Sequence, residues 1–277
     1  MSRARLSIVF LLLALFSPQV FALDKPFDHS TWDQFLKKFV NEKGEVNYQA
    51  VQKDPQLLNS YLKQVKRVVD LVLWPREERL AFWINAYHAG VIHAIVQHYP
   101  IQSIQDIPGV WDSGDVVQVG FRGNTLNAIR FQQLIGAFRD EKIQTALACG
   151  AKSCPPLPRE AYTGPQVEGQ LFLAAQRFVN DPDRNKIIPG QKNIELSSLF
   201  KWYATNFKLD FGAAENEQGL PPEVYAVLSF VAHYLTDLKK IEFLESSNYK
   251  VKYLPFDWSL NEWVPREEKA SASPASS

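Results

Sequence analysis

From Trp32 to Tyr99 the apolar residues recur at helical spacing, and the period changes only beyond Pro100. Trp32, Phe35, Leu36, Phe39 and Val40 mark one face of a helix that Ser30 or Thr31 can cap and that residues 41–44 end. A second helix starts at Asp54-Pro55, a capping residue followed by proline in the first turn. It carries Leu57, Leu58, Tyr61, Leu62 and Val65. Pro75 opens a third, which is apolar nearly all round between Leu80 and Tyr99, so it is expected to run through the centre of the molecule. Asn85 and His88 interrupt it three positions apart, on one face.

After Pro100, Val116, Val117, Val119 and Phe121, followed by Arg122-Gly123-Asn124 and Thr125-Leu126, read as a β-hairpin with a turn. Residues 143–148 fit either a short buried strand or a turn of helix. Residues 167–179 predict a helix, and Ile194-Glu195-Leu196 a short strand before a helix capped by Ser197. Pro221-Pro222 opens a last long helix to about Lys239, and residues 250–254 alternate as a final strand. The fold class expected is α+β: a mainly helical single domain with a small antiparallel sheet.

The N-terminus changes the picture. Arg3 and Arg5, the apolar run from Leu6 to Phe16 and Val20-Phe21-Ala22 have the layout of a secretory signal. The apolar run is too short to span a bilayer. Cleavage is expected before Leu23, giving a periplasmic or secreted protein with no stable membrane insertion. The mature chain would carry 28 basic and 30 acidic side chains. That balance gives no counterion-release drive toward nucleic acid and no attraction to anionic lipid, leaving envelope protein or peptide as the partner class. Residues 266–277 (REEKASASPASS) read as a disordered tail.

In an exported chain the cysteines stand out. The protein has two, Cys149 and Cys154, both in the run CGAKSCPP. One reading is a disulfide that fixes a tight loop, favoured by an oxidising compartment. The other keeps Cys149 as a nucleophile, with the backbone of residues 150–153 and Lys152 stabilising the thiolate. Its candidate base is His88, positioned by Asn85. The blander reading of that pair is that the two side chains pin a neighbouring loop. Either way, buried polar groups need partners, so their face is predicted to pack against the CGAKSCPP run. Zinc is not expected, because two cysteines do not complete a tetrahedral site. No phosphate loop, Rossmann glycine pattern or nucleophile elbow occurs, so no cofactor is implied. Trp202, Tyr203, Tyr253, Phe256, Trp258 and Trp263 are either a carbohydrate or peptide platform or core filling.

Several segments together resemble the family catalogued as domain of unknown function 547. They are Val46-Asn47-Tyr48, LAFWINAYHAGVIHAI (80–95), HYPIQSIQDI (98–107), Leu126-Asn127-Ala128-Ile129, ALACGAKSCPPL (146–157), Ala161-Tyr162-Thr163, Phe200-Lys201-Trp202-Tyr203 and YLPFDWSLN (253–261). The resemblance implies a helical region at 23–75 and a family core at 76–265, but no settled reaction. Members commonly have Asn in place of His88 and a Glu-His pair where this chain has Gln132-Gln133. If the family uses that pair as acid and base, this chain lacks it, since glutamine exchanges no proton near neutral pH. Lys152, Ser153, Gln132, Gln133, Tyr162 and Trp258 are the candidate binding residues. The function expected is a binding or assembly role in the cell envelope; the alternative is a thiol-dependent hydrolase or acyl transferase with Cys149 as nucleophile.

Overall fold

Three short helices, α1 (Ser30–Phe39), α2 (Tyr48–Lys53) and α3 (Gln56–Lys66), precede the long α4 (Arg76–His98). The computed structural model describes residues 26–112, 116–212, 216, 219–246 and 249–265, so the expected signal and tail lie outside it. Of the 23 residues of α4, 17 are buried, as its all-round apolar pattern predicts. The cap of α1 differs from expectation. The helix begins one residue early, with His29 at the cap, and the Ser30 N–H donates to the Asp28 carboxylate at 2.9 Å. Helix α2 is not legible in the sequence, being too short to show a period; Asn47 caps it by accepting from the Ala50 N–H.

Strands β1 (Val117–Val119) and β2 (Arg122–Asn124) pair antiparallel, with Val117 opposite Asn124. The turn is therefore at Gly120-Phe121, not at Arg122-Gly123-Asn124. Gly120 has φ of +58°, which glycine adopts at no steric cost. A nine-residue π-helix follows (Ala128–Gly136), then a 3₁₀ turn (Glu141–Thr145) that resolves the ambiguity at 143–148 in favour of helix. Helix α5 (Val167–Asn180) leads to β3 (Asn193–Leu196), then α6 (Ser198–Trp202), capped by the Ser197 hydroxyl, and α7 (Lys208–Phe211). The expected last long helix is two: α8 (Pro222–Tyr234) and α9 (Leu238–Glu245). Asp237 causes the break, since its side chain accepts from the Lys239 N–H and starts a new helix. Strand β4 (Lys250–Tyr253) pairs with β3 in parallel. The fold is α+β and mainly helical, with one antiparallel and one parallel pair.

Burial divides into two large apolar clusters. The first surrounds α4 and takes in α1 to α3, so residues 30–66 share one core with α4 and with the chain as far as Leu171. The second is built on α8 with β3, β4 and α6. Helix α5 belongs to both: Val167 and Leu171 enter the first cluster, Ala175, Phe178 and Val179 the second. A small third cluster comprises Cys149, Ala151 and Cys154, against which Trp111, Phe256 and Trp258 pack.

Candidate functional site

Cys149 and Cys154 are disulfide-bonded, with their Cα atoms 5.6 Å apart. Gly150 makes the reversal with φ of +81°. A Cβ there would come within 2.6 Å of Ile95 Cδ1 on α4, so both conformation and space call for glycine. The loop is held by the chain's later segment at 257–261. Lys152 N–H donates to Ser259 O at 2.9 Å, Ser153 N–H to Asp257 O at 3.2 Å, and Asn261 N–H to Gly150 O at 3.1 Å. In return Asp257 N–H donates to Ser153 Oγ at 2.9 Å. From the other side the Arg184 guanidinium donates to Cys154 O (2.9 Å) and Lys152 O (2.7 Å), and it is itself paired with Asp181. Backbone groups of a loop this buried need such partners, and here they have them.

The disulfide stands between two hollows. Cys154 lines a polar one of about 620 Å³ with Lys152, Ser153, Glu42, Arg177 and Asp257. Cys149 lines an aromatic one of about 270 Å³ with Trp111, Arg130, Phe131, Trp202, Phe256 and Trp258. In the aromatic groove the Phe256 and Trp258 ring centroids are 4.5 Å apart, Trp202 and Trp258 stack at 6.1 Å, and Trp111 meets Trp258 edge-on at 6.5 Å. These separations are those of favourable aromatic pairs, so the walls hold one another in place.

His88 does not face this groove. The Ala148 N–H donates to its Nε2 at 3.1 Å, which puts the ring proton on Nδ1. Ala146 O lies 3.2 Å from the same Nε2, and Nδ1 is buried with no partner among the described residues. Burial pushes its pKa down to about 3, against a smaller opposing effect from Ala146 O. His88 is thus a neutral ring that fixes the backbone leading into Cys149, with no proton to exchange near neutrality. Asn85 meets a different segment from the one expected. Its Oδ1 accepts from Tyr162 N–H (3.0 Å) and its Nδ2 donates to Tyr162 O (2.7 Å), with His29 Nδ1 3.2 Å away. Of the predicted face, then, His88 reaches residues 146–148 beside the CGAKSCPP run, while Asn85 pins Tyr162. Against the run itself α4 presents Val91 and Ile95.

The other candidates separate in the same way. Trp258 lines the aromatic groove, and Lys152 is exposed at the polar one. Ser153 is held by its bond to Asp257. Tyr162 is buried and lies in neither groove beside the disulfide. Gln132 is exposed and Gln133 half-buried, and neither lines the groove at Cys149; from that segment Arg130 and Phe131 do. Of the six aromatics, Trp202, Tyr203, Phe256 and Trp258 line it. Tyr253 packs on the second core, and Trp263 donates to Phe39 O. Sequence reasoning does not single out Arg130 or Trp111. One signal for Arg130 is present: it lies four residues after Leu126 and four before Leu134, both fully buried, so helical spacing alone turns it inward.

Among the described residues no group of three His, Cys, Asp or Glu side chains could hold a metal ion. No described helix is long and apolar enough to cross a membrane. No curated protein and no solved structure matches the chain. One family does match, over residues 71–179, and the matched stretch runs from before α4 through the disulfide loop and nearly to the end of α5. The clasp at 257–261 and most of the second core lie beyond it. Over that stretch the chain is similar to the family described as "Protein of unknown function, DUF547".

Proposed function

We propose that the protein is an exported domain of the cell envelope that binds a protein or peptide partner at the aromatic groove beside the Cys149–Cys154 loop, without turning it over. The observation that carries this reading is the disulfide at the groove's edge. The sulfur a thiol mechanism needs is bonded to Cys154, and His88, the candidate base, is committed to the backbone before it. A disulfide of this kind persists in oxidising compartments, which supports export. The exposed Trp202 and Phe131, at 47% and 43% accessibility, supply the aromatic surface that recognition sites favour.

The test is a thiol titration of the purified mature chain in denaturant without reductant, with turnover assays on envelope peptides alongside. No free thiol and no thiol-sensitive turnover is the expected result. Turnover abolished by Cys149→Ser at an unchanged melting temperature sinks the binding reading in favour of a hydrolase. Export is tested separately by N-terminal sequencing from the envelope fraction. Leu23 is expected first, and an uncleaved cytosolic chain refutes it.

A further inference from the structure

We infer that the aromatic groove is a carboxylate site. Arg130 receives the C-terminal carboxylate of a peptide, and Trp111, Trp202, Phe256 and Trp258 enclose that peptide's last, apolar side chain. The inference rests on the binding reading above and gives it a ligand class.

The charge of Arg130 comes first. Its side chain is buried (6% exposed), lines the groove, and makes no ion pair among the described residues. Its Nη2 donates to the neutral Gln144 Oε1 at 3.2 Å. The cation also lies 4.6 Å from the Tyr203 ring centroid and 5.7 Å from that of Phe131. Ring faces offset part of the cost of burying a guanidinium, but they supply no negative charge. Its Nε has no acceptor among the described residues. A buried cation at a groove wall with no anion beside it is complementary to an anionic ligand, and the guanidinium fork matches the two oxygens of a carboxylate.

Behind the groove wall the guanidinium meets only neutral groups: the buried Tyr87 hydroxyl, which interacts with it, and Gln144, whose Nε2 is buried with no partner among the described residues.

Size and lining set the rest of the ligand. The volume of about 270 Å³ falls just under the roughly 300–1,000 Å³ of small-molecule pockets, enough for one residue. Besides Arg130 the walls are mainly aromatic, and the Asn127 amide already donates to Asp112 at 2.8 Å. A sugar, with hydroxyls all round, would leave most of them unpaired here. An apolar body with one charged end fits both the walls and the cation.

The experiment follows tryptophan fluorescence and calorimetry of the full mature chain with three probes: acetyl-Ala-Ala-Phe as the free acid, its C-terminal amide, and 3-phenylpropionate. The free acid should bind at least about tenfold more tightly than the amide, the size expected for a hydrogen-bonded charge. Arg130→Gln should erase that difference, and Arg130→Lys should keep part of it, since lysine retains the charge without the fork. If Arg130→Gln does not fold, Trp202→Ala, at an exposed position, should weaken the acid peptide several-fold. Equal affinity for acid and amide, no binding of the acid, no effect of either variant, or phenylpropionate binding as tightly as the peptide overturns the inference. None of these outcomes bears on whether the domain is catalytic, which the thiol and turnover assays decide.

Discussion

Asn85 uses both ends of its amide on the backbone of Tyr162, and no shorter side chain on α4 could satisfy both groups at once. Asn85→Ala should leave a buried N–H and C=O open and lower the unfolding free energy by about 2–4 kcal/mol, read by urea denaturation. His88 makes a prediction of a different kind. In the unfolded chain a histidine takes up its proton near pH 6.5, whereas burial holds His88 down to about 3. Between those values the unfolded state binds the extra proton. The stability His88 contributes is therefore complete above about 6.5 and lost as pH falls through that window. His88→Gln, which can still accept from Ala148 N–H, should show a shallower loss of stability between pH 7 and 5 than the wild type. Parallel curves would mean His88 takes up its proton as readily in the folded protein as in the unfolded chain. Asn85 and His88 are both legible as buried polar groups, because each breaks an apolar period. Which segment each would meet is not, since that depends on how chain some 60–80 residues away returns to the helix.

Among the elements, those with a sustained apolar stripe can be read directly: α1, α3, α4 and α5 lie within a residue or two of their expected positions. Differences fall where one residue decides a boundary, as at Asp237, which splits the last helix in two, and at Gly120, which moves the hairpin turn. The π-helix at 128–136 is only partly legible: Leu126, Arg130 and Leu134 recur every four residues, but its wider turn departs from a 3.6-residue period, and it delivers Arg130 and Phe131 to the groove. The family resemblance leads to that neighbourhood but to the glutamines beside it. The disulfide loop itself encloses few residues, so cross-linking it stabilises by only about 2 kcal/mol in the chain-entropy account. The Cys149→Ser/Cys154→Ser double variant should therefore still fold, melting modestly lower. Its loss should show first in the groove, as a changed tryptophan fluorescence from the Trp111–Trp258 pair. A variant that is wholly unfolded would mean the bond, and not the clasp from residues 257–261, holds the loop.

Two apolar clusters in one chain invite the expectation of two unfolding steps. Helix α5 argues otherwise, because one helix buries Leu171 in the first cluster and Phe178 in the second, and neither end can melt without exposing the other's turn. Calorimetry of the chain should give a single transition with matching calorimetric and van't Hoff enthalpies. Leu171→Ala, costing about 2–5 kcal/mol, should lower the melting of both clusters together. Two separated transitions would show that the cores fold independently and that α5 is only a tether. The clasp has a further consequence for the time course of the chain's making. Residues 149–154 leave the ribosome about a hundred residues before the segment that fastens them, and Trp258, one wall of the groove, arrives with that segment. Until then the Lys152 and Ser153 amides have only water to bond, and the groove lacks a wall. The groove is thus completed last, and a chain clipped ahead of residue 257 would keep its helices and its disulfide while lacking that wall.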